Sequence, residues 1–179
     1  GISMICSKAT FSQGHKFRHF IASIVSQFYP QIDLWGSAYK PFDLENKPSK
    51  NEPLKDYMFS IVVMNGKHDN WWTAETIDCF RLGTIPIFWG ASNIGDKFNK
   101  DGIIQFETFN ELKLILKNLS ARDYHNRMEA IVDNFHRAKK LTNCDNRLAK
   151  KLLDLYGDSA YPISGDYNFS FNNLNTLRR

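Results

Sequence analysis

The sequence has few cysteines and no long apolar run. Its three cysteines, Cys6, Cys79 and Cys144, are odd in number and lack the spacing of a metal site, so we predict free thiols. No stretch approaches the roughly 18 consecutive apolar residues of a membrane span. No basic-then-apolar leader indicates export either. We therefore expect a protein without a membrane span, in a reducing, cytoplasmic compartment.

The sequence also lacks the motifs of two common ligand classes. There is no GxGxxG, so a dinucleotide site of the usual type is not supported. The net charge is only +4, and the single basic cluster, at residues 15–19, is too small for a nucleic-acid surface. The 179 residues suit one domain with enough core to fold without disulfides.

What the sequence does contain is an alternation of apolar runs and helical stripes. Met58 to Met64 and Ile85 to Trp89 are short runs typical of strands buried on both faces, and a helix between them is predicted from Thr73 to Gly83. Ile2 to Cys6, a helix bearing Phe17 to Phe28, and Ile32 to Trp35 repeat the pattern. Two strand–helix–strand units predict a parallel sheet.

The remaining residues complete an α/β, Rossmann-like, doubly wound fold with a helical C-terminal end. Residues 37–55 are predicted to be a surface loop, and Ile103 to Phe106 a strand. Three helices should follow, marked by Phe109 to Leu119, Tyr124 to Ala138 and Leu148 to Leu155. We predict one lobe over residues 1–157 and a C-terminal tail over 158–179.

Ligands of such sheets bind beyond the carboxyl ends of the strands. Arg18 lies near the start of the first predicted helix, where free N–H groups and the helix dipole attract anions, and it could hold a diphosphate. The alternatives are a solvated helix end for the whole cluster, and an arginine paired with a surface carboxylate.

The central unit supplies four more candidates. Asn65 could bind a sugar hydroxyl, or could simply end a strand in an Asn-Gly turn. Trp71 and Trp72 are adjacent, so in an extended stretch one should face inward and one outward, and an outward Trp71 could stack on a base or sugar; the alternative is that both pack in the core. Thr73 is the expected helix N-cap. Glu75 lies in the first helical turn, where the dipole favours a carboxylate.

The same central stretch contains four segments that together form a recognisable pattern: Tyr57-Met58-Phe59-Ser60-Ile61, Met64-Asn65-Gly66, Thr73-Ala74-Glu75 and the specific string Gly83-Thr84-Ile85-Pro86-Ile87-Phe88-Trp89-Gly90. On these residues it resembles the donor-binding lobe of the α1,3-fucosyltransferases of glycosyltransferase family 10. The resemblance extends over about residues 2–140.

The resemblance implies one lobe of a GT-B glycosyltransferase that binds GDP-fucose. It further implies inverting transfer to a glycan acceptor without a metal or other cofactor, and a second, amino-side lobe that supplies the general base. In this alignment Arg18 is the phosphate-binding arginine, Asn65 the asparagine of a Phe-Glu-Asn motif and Trp71 an aromatic residue beside the donor. A lobe without its partner would expose cleft surface, so self-association is also expected.

Three polar positions of the family pattern differ in this chain. Met64 and Ala74 replace glutamates, and Glu75 replaces the lysine that would neutralise the diphosphate. We expect Glu75 either to turn away or to pair with Arg81 or Lys67. The sequence thus supports two functions: a fucosyltransferase-like donor lobe, or a non-catalytic carbohydrate- or protein-binding domain of the same fold.

Overall fold

The computed structural model describes residues 1–40 and 51–141. Its strands are β1 Ile2–Ile5, β2 Ile32–Trp35, β3 Phe59–Val63, β4 Ile85–Trp89 and β5 Ile104–Gln105. Its helices are α1 Gln13–Phe28, α2 Glu52–Lys55, α3 Ala74–Leu82, α4 Phe109–Asn118, α5 Ala121–His125 and α6 Met128–Lys139.

The five strands form one parallel sheet in the order β2-β1-β3-β4-β5. Ile2 lies opposite Ile32 on one side and Phe59 on the other, so β1 is flanked by β2 and β3. The chain therefore moves outward from β1 to β2, crosses back to β3, and continues in the opposite direction. The point at which the order reverses lies between β1 and β3, where a crevice forms above the carboxyl ends of doubly wound sheets.

Helices cover both faces of the sheet, as predicted. One apolar cluster joins alternate strand residues such as Ile61 and Ile87 to Ile21 of α1 and Leu112 of α4. The second joins Val62 and Phe88 to residues of α2, α3 and the end of α6, including Leu54, Phe80 and Ala138. The strands are buried on both faces because successive side chains point to opposite layers. The predicted fold class is confirmed.

The central β3–α3–β4 unit closely follows the pattern in the sequence. Helix α3 begins after Thr73 and ends at Gly83, whose φ of 74° lies in the left-handed region. The N–H of Gly83 then bonds back to the last turn of the helix, which is the usual role of a glycine at this position. Cys6 and Cys79 are free thiols, as predicted, and both are buried.

Three sequence predictions need correction. The predicted loop 37–55 contains helix α2, which begins with Pro53 in its first turn and buries Leu54. The predicted helix from Tyr124 to Ala138 is divided into α5 and α6, and Tyr124 donates a hydrogen bond to the carbonyl of Gly83 (2.9 Å). The predicted strand Ile103–Phe106 is only two residues long.

In the helix predicted from Tyr124 to Ala138, only part of the predicted apolar stripe is buried. Met128, Val132 and Phe135 are exposed, whereas Ile131 and Ala138 are buried. The predicted helix at Leu148 to Leu155, the boundary at residue 157 and Cys144 lie outside the described residues. Within the two described ranges, no helix combines the length and the hydropathy needed to cross a membrane.

Candidate functional site

The first turn of α1 lies directly on the end of β3. The N–H of Gly14 donates to the carbonyl of Asn65 (3.0 Å). A Cβ atom at Gly14 would lie 1.8 Å from the carbonyl oxygen of Met64 and 2.7 Å from the Asn65 backbone. Only glycine permits this approach, because the obstructing atoms belong to the backbone. The close contact brings the amino end of α1 to the point where the strand order reverses.

Arg18 reaches from α1 across the end of β3. Its side chain is only 8% exposed. Nε donates to the carbonyl of Val63 (3.1 Å), and Nη2 donates to the same carbonyl and to Oδ1 of Asn65 (3.2 Å). The structure therefore brings together two residues that are 47 positions apart in the sequence and that were predicted to share a site. Arg18 forms no ion pair within the described residues, so the interpretation as an arginine paired with a surface carboxylate is wrong.

The loop before α1 positions a buried histidine and an exposed aromatic ring. Ser12 caps the helix, accepting from the N–H of His15 (3.1 Å), and its hydroxyl lies 2.5 Å from Nδ1 of His15. Burial, and then the positive charge of Arg18, lower the pKa of His15. The ring of Phe11, which is 84% exposed, packs on His15 with centroids 4.5 Å apart. A solvated helix end is therefore the wrong description of His15 and Arg18, although Lys16 is exposed.

Glu75 faces the same crevice from α3. Its Oε1 is buried without a hydrogen-bond partner, although the residue as a whole is only half-buried. Burial raises the pKa of this carboxyl to about 7, and the positive charge of Arg18 opposes that rise. The expected pairing is wrong for both cations, since Arg81 pairs with Asp78 (3.2 Å) and Lys67 pairs with Glu107.

The amino end of α3 leaves backbone donors at the crevice. Thr73 occupies the N-cap position as predicted, but its side chain makes no capping hydrogen bond. Within the described residues, the N–H groups of Ala74 and Glu75 have no hydrogen-bond partner. Unsatisfied N–H groups at the start of a helix attract anions. Helices α1 and α3 thus direct their positive ends toward the crevice from opposite faces of the sheet.

The two adjacent tryptophans point in different directions, as predicted. Trp72 packs edge-on against Phe98 in the second apolar cluster, with centroids 5.4 Å apart. Trp71 instead packs on His68, with centroids 5.1 Å apart, in the loop that follows β3. Trp71 is half-buried, so part of its ring is available to a ligand above the sheet.

Side chains of the loops that follow β3, β4 and β5 contact one another at the edge of the crevice. These contacts were not predicted from the sequence. Asn70, with a φ of 58°, exchanges two hydrogen bonds with the side chain of Asn93 (2.9 and 3.0 Å). Lys67 lies over the ring of Trp89, 5.1 Å from its centroid, while it pairs with Glu107. The available signals were an asparagine in a polar loop, a residue that tolerates the left-handed conformation, and the Asn65-Gly66 pair earlier in the same loop.

The three residues that depart from the family pattern do not compensate for one another. Met64 is 1% exposed and points into the second cluster, against Thr76 and beside Gly90. Ala74 is exposed and has no polar group. Among the described residues, no three His, Cys, Asp or Glu side chains gather closely enough to hold a metal ion.

Comparison with known proteins gives matches in sequence and in fold. The chain is 31% identical to an α-(1,3)-fucosyltransferase of Helicobacter pylori over 64 residues, which is 36% of this chain and 13% of that protein. Crystal structures of an α1,3-fucosyltransferase, alone and with GDP-fucose, match 71% of this chain with a TM-score of 0.56 and 21% identity. A structure with GDP matches the same share at 0.57 and 22%. No protein-family model matches the sequence.

These matches confirm the resemblance to α1,3-fucosyltransferases and the α/β fold. The chain corresponds to only part of these proteins, because it covers 36–37% of the length of the solved fucosyltransferases. This protein therefore has the fold of one part of a glycosyltransferase of that kind.

Proposed function

We propose that this chain is the donor-binding lobe of a fucosyltransferase-like glycosyltransferase. Its ligand would be a nucleoside diphosphate sugar of the GDP-fucose type. The observation that carries the proposal is the contact of Arg18 with Asn65 at the point where the strand order reverses. That contact lies in a fold whose solved relatives include complexes with GDP-fucose and with GDP.

Arg18 has the role of neutralising the diphosphate. Two of its nitrogens are held by Val63 and Asn65, which fixes the plane of the guanidinium group. Its third nitrogen, Nη1, has no partner among the described residues, so it remains for a phosphate oxygen. The free N–H groups at the start of α3 supply further donors, and the dipoles of α1 and α3 add positive potential without a metal ion.

The other site residues orient the ligand. The Asn65 amide nitrogen remains for a sugar hydroxyl while its oxygen is held by Arg18. Trp71 offers a partly exposed ring face for a base or sugar. The Thr73 hydroxyl, which does not cap its helix, is available at the edge of the crevice.

Several parts of the whole reaction lie beyond this lobe. Inverting transfer to a glycan acceptor requires a general base, and we assign no residue of this chain to that role. The proposal therefore includes a second lobe that covers the crevice and binds the acceptor. Self-association of the isolated lobe through the uncovered crevice is part of the same proposal.

Calorimetric titration with GDP, GDP-fucose and UDP tests the proposal. We expect GDP and GDP-fucose to bind more tightly than UDP, and Arg18→Lys to weaken GDP binding because lysine cannot keep both the Val63 and Asn65 contacts. Arg137→Lys is the matched control, since Arg137 pairs with Asp133 on the surface of α6. Thermal melts of both variants separate loss of binding from loss of folding.

A second function is favoured by one observation, the carboxyl of Glu75 beside Arg18. A carboxylate there repels a dianionic diphosphate but does not repel an uncharged glycan. It is therefore compatible with a domain that binds neutral carbohydrates. Absence of binding by any nucleotide, together with Trp71-dependent binding of a neutral glycan, would support this function and overturn the donor lobe.

A further inference from the structure

The Glu75 carboxyl is the buried polar group that the proposed donor site leaves unexplained. Among the described side chains, its Oε1 is the buried nitrogen or oxygen atom that finds no hydrogen-bond partner. A buried, unpartnered carboxylate oxygen is unfavourable, and such groups in folded proteins usually have a functional reason. A glutamate with no role in the crevice could instead have occupied a position on the solvent-facing side of α3.

The surroundings of Glu75 fix the direction in which it points. Arg18 from α1 and the thiol of Cys6, the residue after β1, both interact electrostatically with it, and Asp78 and Cys79 do so from its own helix. His15 interacts electrostatically with Arg18 and with His19. The carboxyl therefore lies between α3 and the ends of β1 and β3, on the approach to the guanidinium group.

Arg18 faces Glu75 without forming a close ion pair. No carboxylate of the described residues lies within 4.0 Å of the Arg18 nitrogens, and the close partners of its guanidinium are the Val63 carbonyl and the Asn65 amide. Its positive charge is thus balanced at longer range, and the nearby carboxyl that can balance it is Glu75.

We propose that Glu75 is an internal anion that competes with the diphosphate for Arg18, so that a nucleoside diphosphate binds this crevice together with a proton taken up by Glu75. The inference rests on the proposed donor site. An ionised Glu75 and a diphosphate would place like charges around one arginine in a partly desolvated crevice, where their repulsion is weakly screened. Protonation removes that repulsion and leaves the carboxylic acid as a hydrogen-bond donor to a phosphate oxygen. The proton comes from solvent, and no covalent bond changes.

The size of the effect follows from the protonation state of the free protein. With a carboxyl pKa of about 7, roughly three quarters of the molecules are ionised at pH 7.5, so binding of GDP should take up about 0.8 proton. If only the protonated form binds, affinity falls about tenfold between pH 6 and pH 8. Ionisation of GDP itself contributes equally to the parent and to a Glu75 variant, so their difference isolates Glu75.

The experiment is titration of the full chain with GDP at pH 6, 7.5 and 8, the middle pH in two buffers of different ionisation enthalpy. Relative to the parent, Glu75→Gln should lose the extra proton uptake and the tenfold pH dependence. Glu129→Gln is the matched control, because it makes the same change at an exposed glutamate in the first turn of α6, and it should behave as the parent. Glu75→Ala serves as a second variant if the glutamine protein does not fold.

The possible results separate the two proposals. GDP binding by the parent and Glu75→Gln with identical proton uptake and pH dependence overturns the inference and leaves the donor site standing. No GDP binding by either protein at pH 6 overturns the donor site, and the inference with it. A difference between the two that appears equally in Glu129→Gln also overturns it, because a general change in net charge would then be the cause.

Discussion

Replacing Glu75 by glutamine should stabilise the protein increasingly as pH rises. Burial raises the pKa of this carboxyl from 4.5 to about 7 in the folded chain. The folded state therefore holds the proton more tightly than the unfolded state, and ionisation opposes folding. The parent begins to lose stability as pH rises through about 4.5, and the loss is complete above about pH 7. The full loss is about 3 kcal/mol, at about 1.4 kcal/mol per pKa unit.

Glutamine has nearly the same shape and does not titrate. The free energy of unfolding of Glu75→Gln relative to the parent should therefore rise by about 2.5 kcal/mol between pH 5 and pH 8. For a chain of this length, that corresponds to a relative change in Tm of roughly 5–10 °C. Thermal unfolding followed by circular dichroism at unit pH intervals measures it. Glu129→Gln, which changes an exposed glutamate of α6, should leave the pH-dependent loss of the parent in place.

The reasoning fails if the melting temperatures of the parent and Glu75→Gln change in parallel from pH 5 to pH 8. Such a result would mean that the carboxyl titrates in its ordinary range, and hence that it is hydrated rather than buried beside Arg18.

Three further predictions concern close packing and buried hydrogen bonds, and urea unfolding measures all of them. Gly14→Ala should destabilise the protein by more than about 3 kcal/mol, because the new Cβ overlaps the Met64 carbonyl; an effect below 1 kcal/mol would mean that α1 does not lie on β3. Trp72→Ala should cost about 2–4 kcal/mol and Trp71→Ala clearly less, since only Trp72 packs on Phe98; equal costs would refute their opposite orientations. Asn134→Ala should cost about 2–3 kcal/mol, because it removes two hydrogen bonds to the Asn99 backbone (2.7 and 2.9 Å), and a neutral result would contradict that burial.

The sheet was predictable because its strands are buried on both faces. Residues 59–63 and 85–89 are nearly continuous apolar runs, interrupted only by Ser60, and Gly83 marks the end of the helix between them. These signals are local, so they need no knowledge of the rest of the chain. Helix α2 escaped prediction because four residues around a proline are too few to show a helical period.

The candidate site was only partly predictable, because its contacts depend on the order of strands. Arg18 meets Asn65 since β1 and β3 are neighbours, which no spacing in the sequence specifies. The inward orientation of Glu75 did have a signal: it lies one helical turn before the fully buried Cys79 and so shares its side of α3. The division between α5 and α6 had none, because residues 126–127 contain neither glycine nor proline.

The most direct test of the donor site is a nuclear magnetic resonance titration of the ¹⁵N-labelled chain with GDP. The account predicts that the largest shifts cluster at the backbone of Gly14, Asn65 and Glu75 and at the indole N–H of Trp71. Trp35 lies on the outer strand β2, and its indole N–H donates to the hydroxyl of Tyr57 (3.1 Å). The resonance of this N–H should not shift. If the shifts occur at other groups, or if no resonance shifts at millimolar GDP, the assignment of this crevice as a nucleotide-sugar site is contradicted.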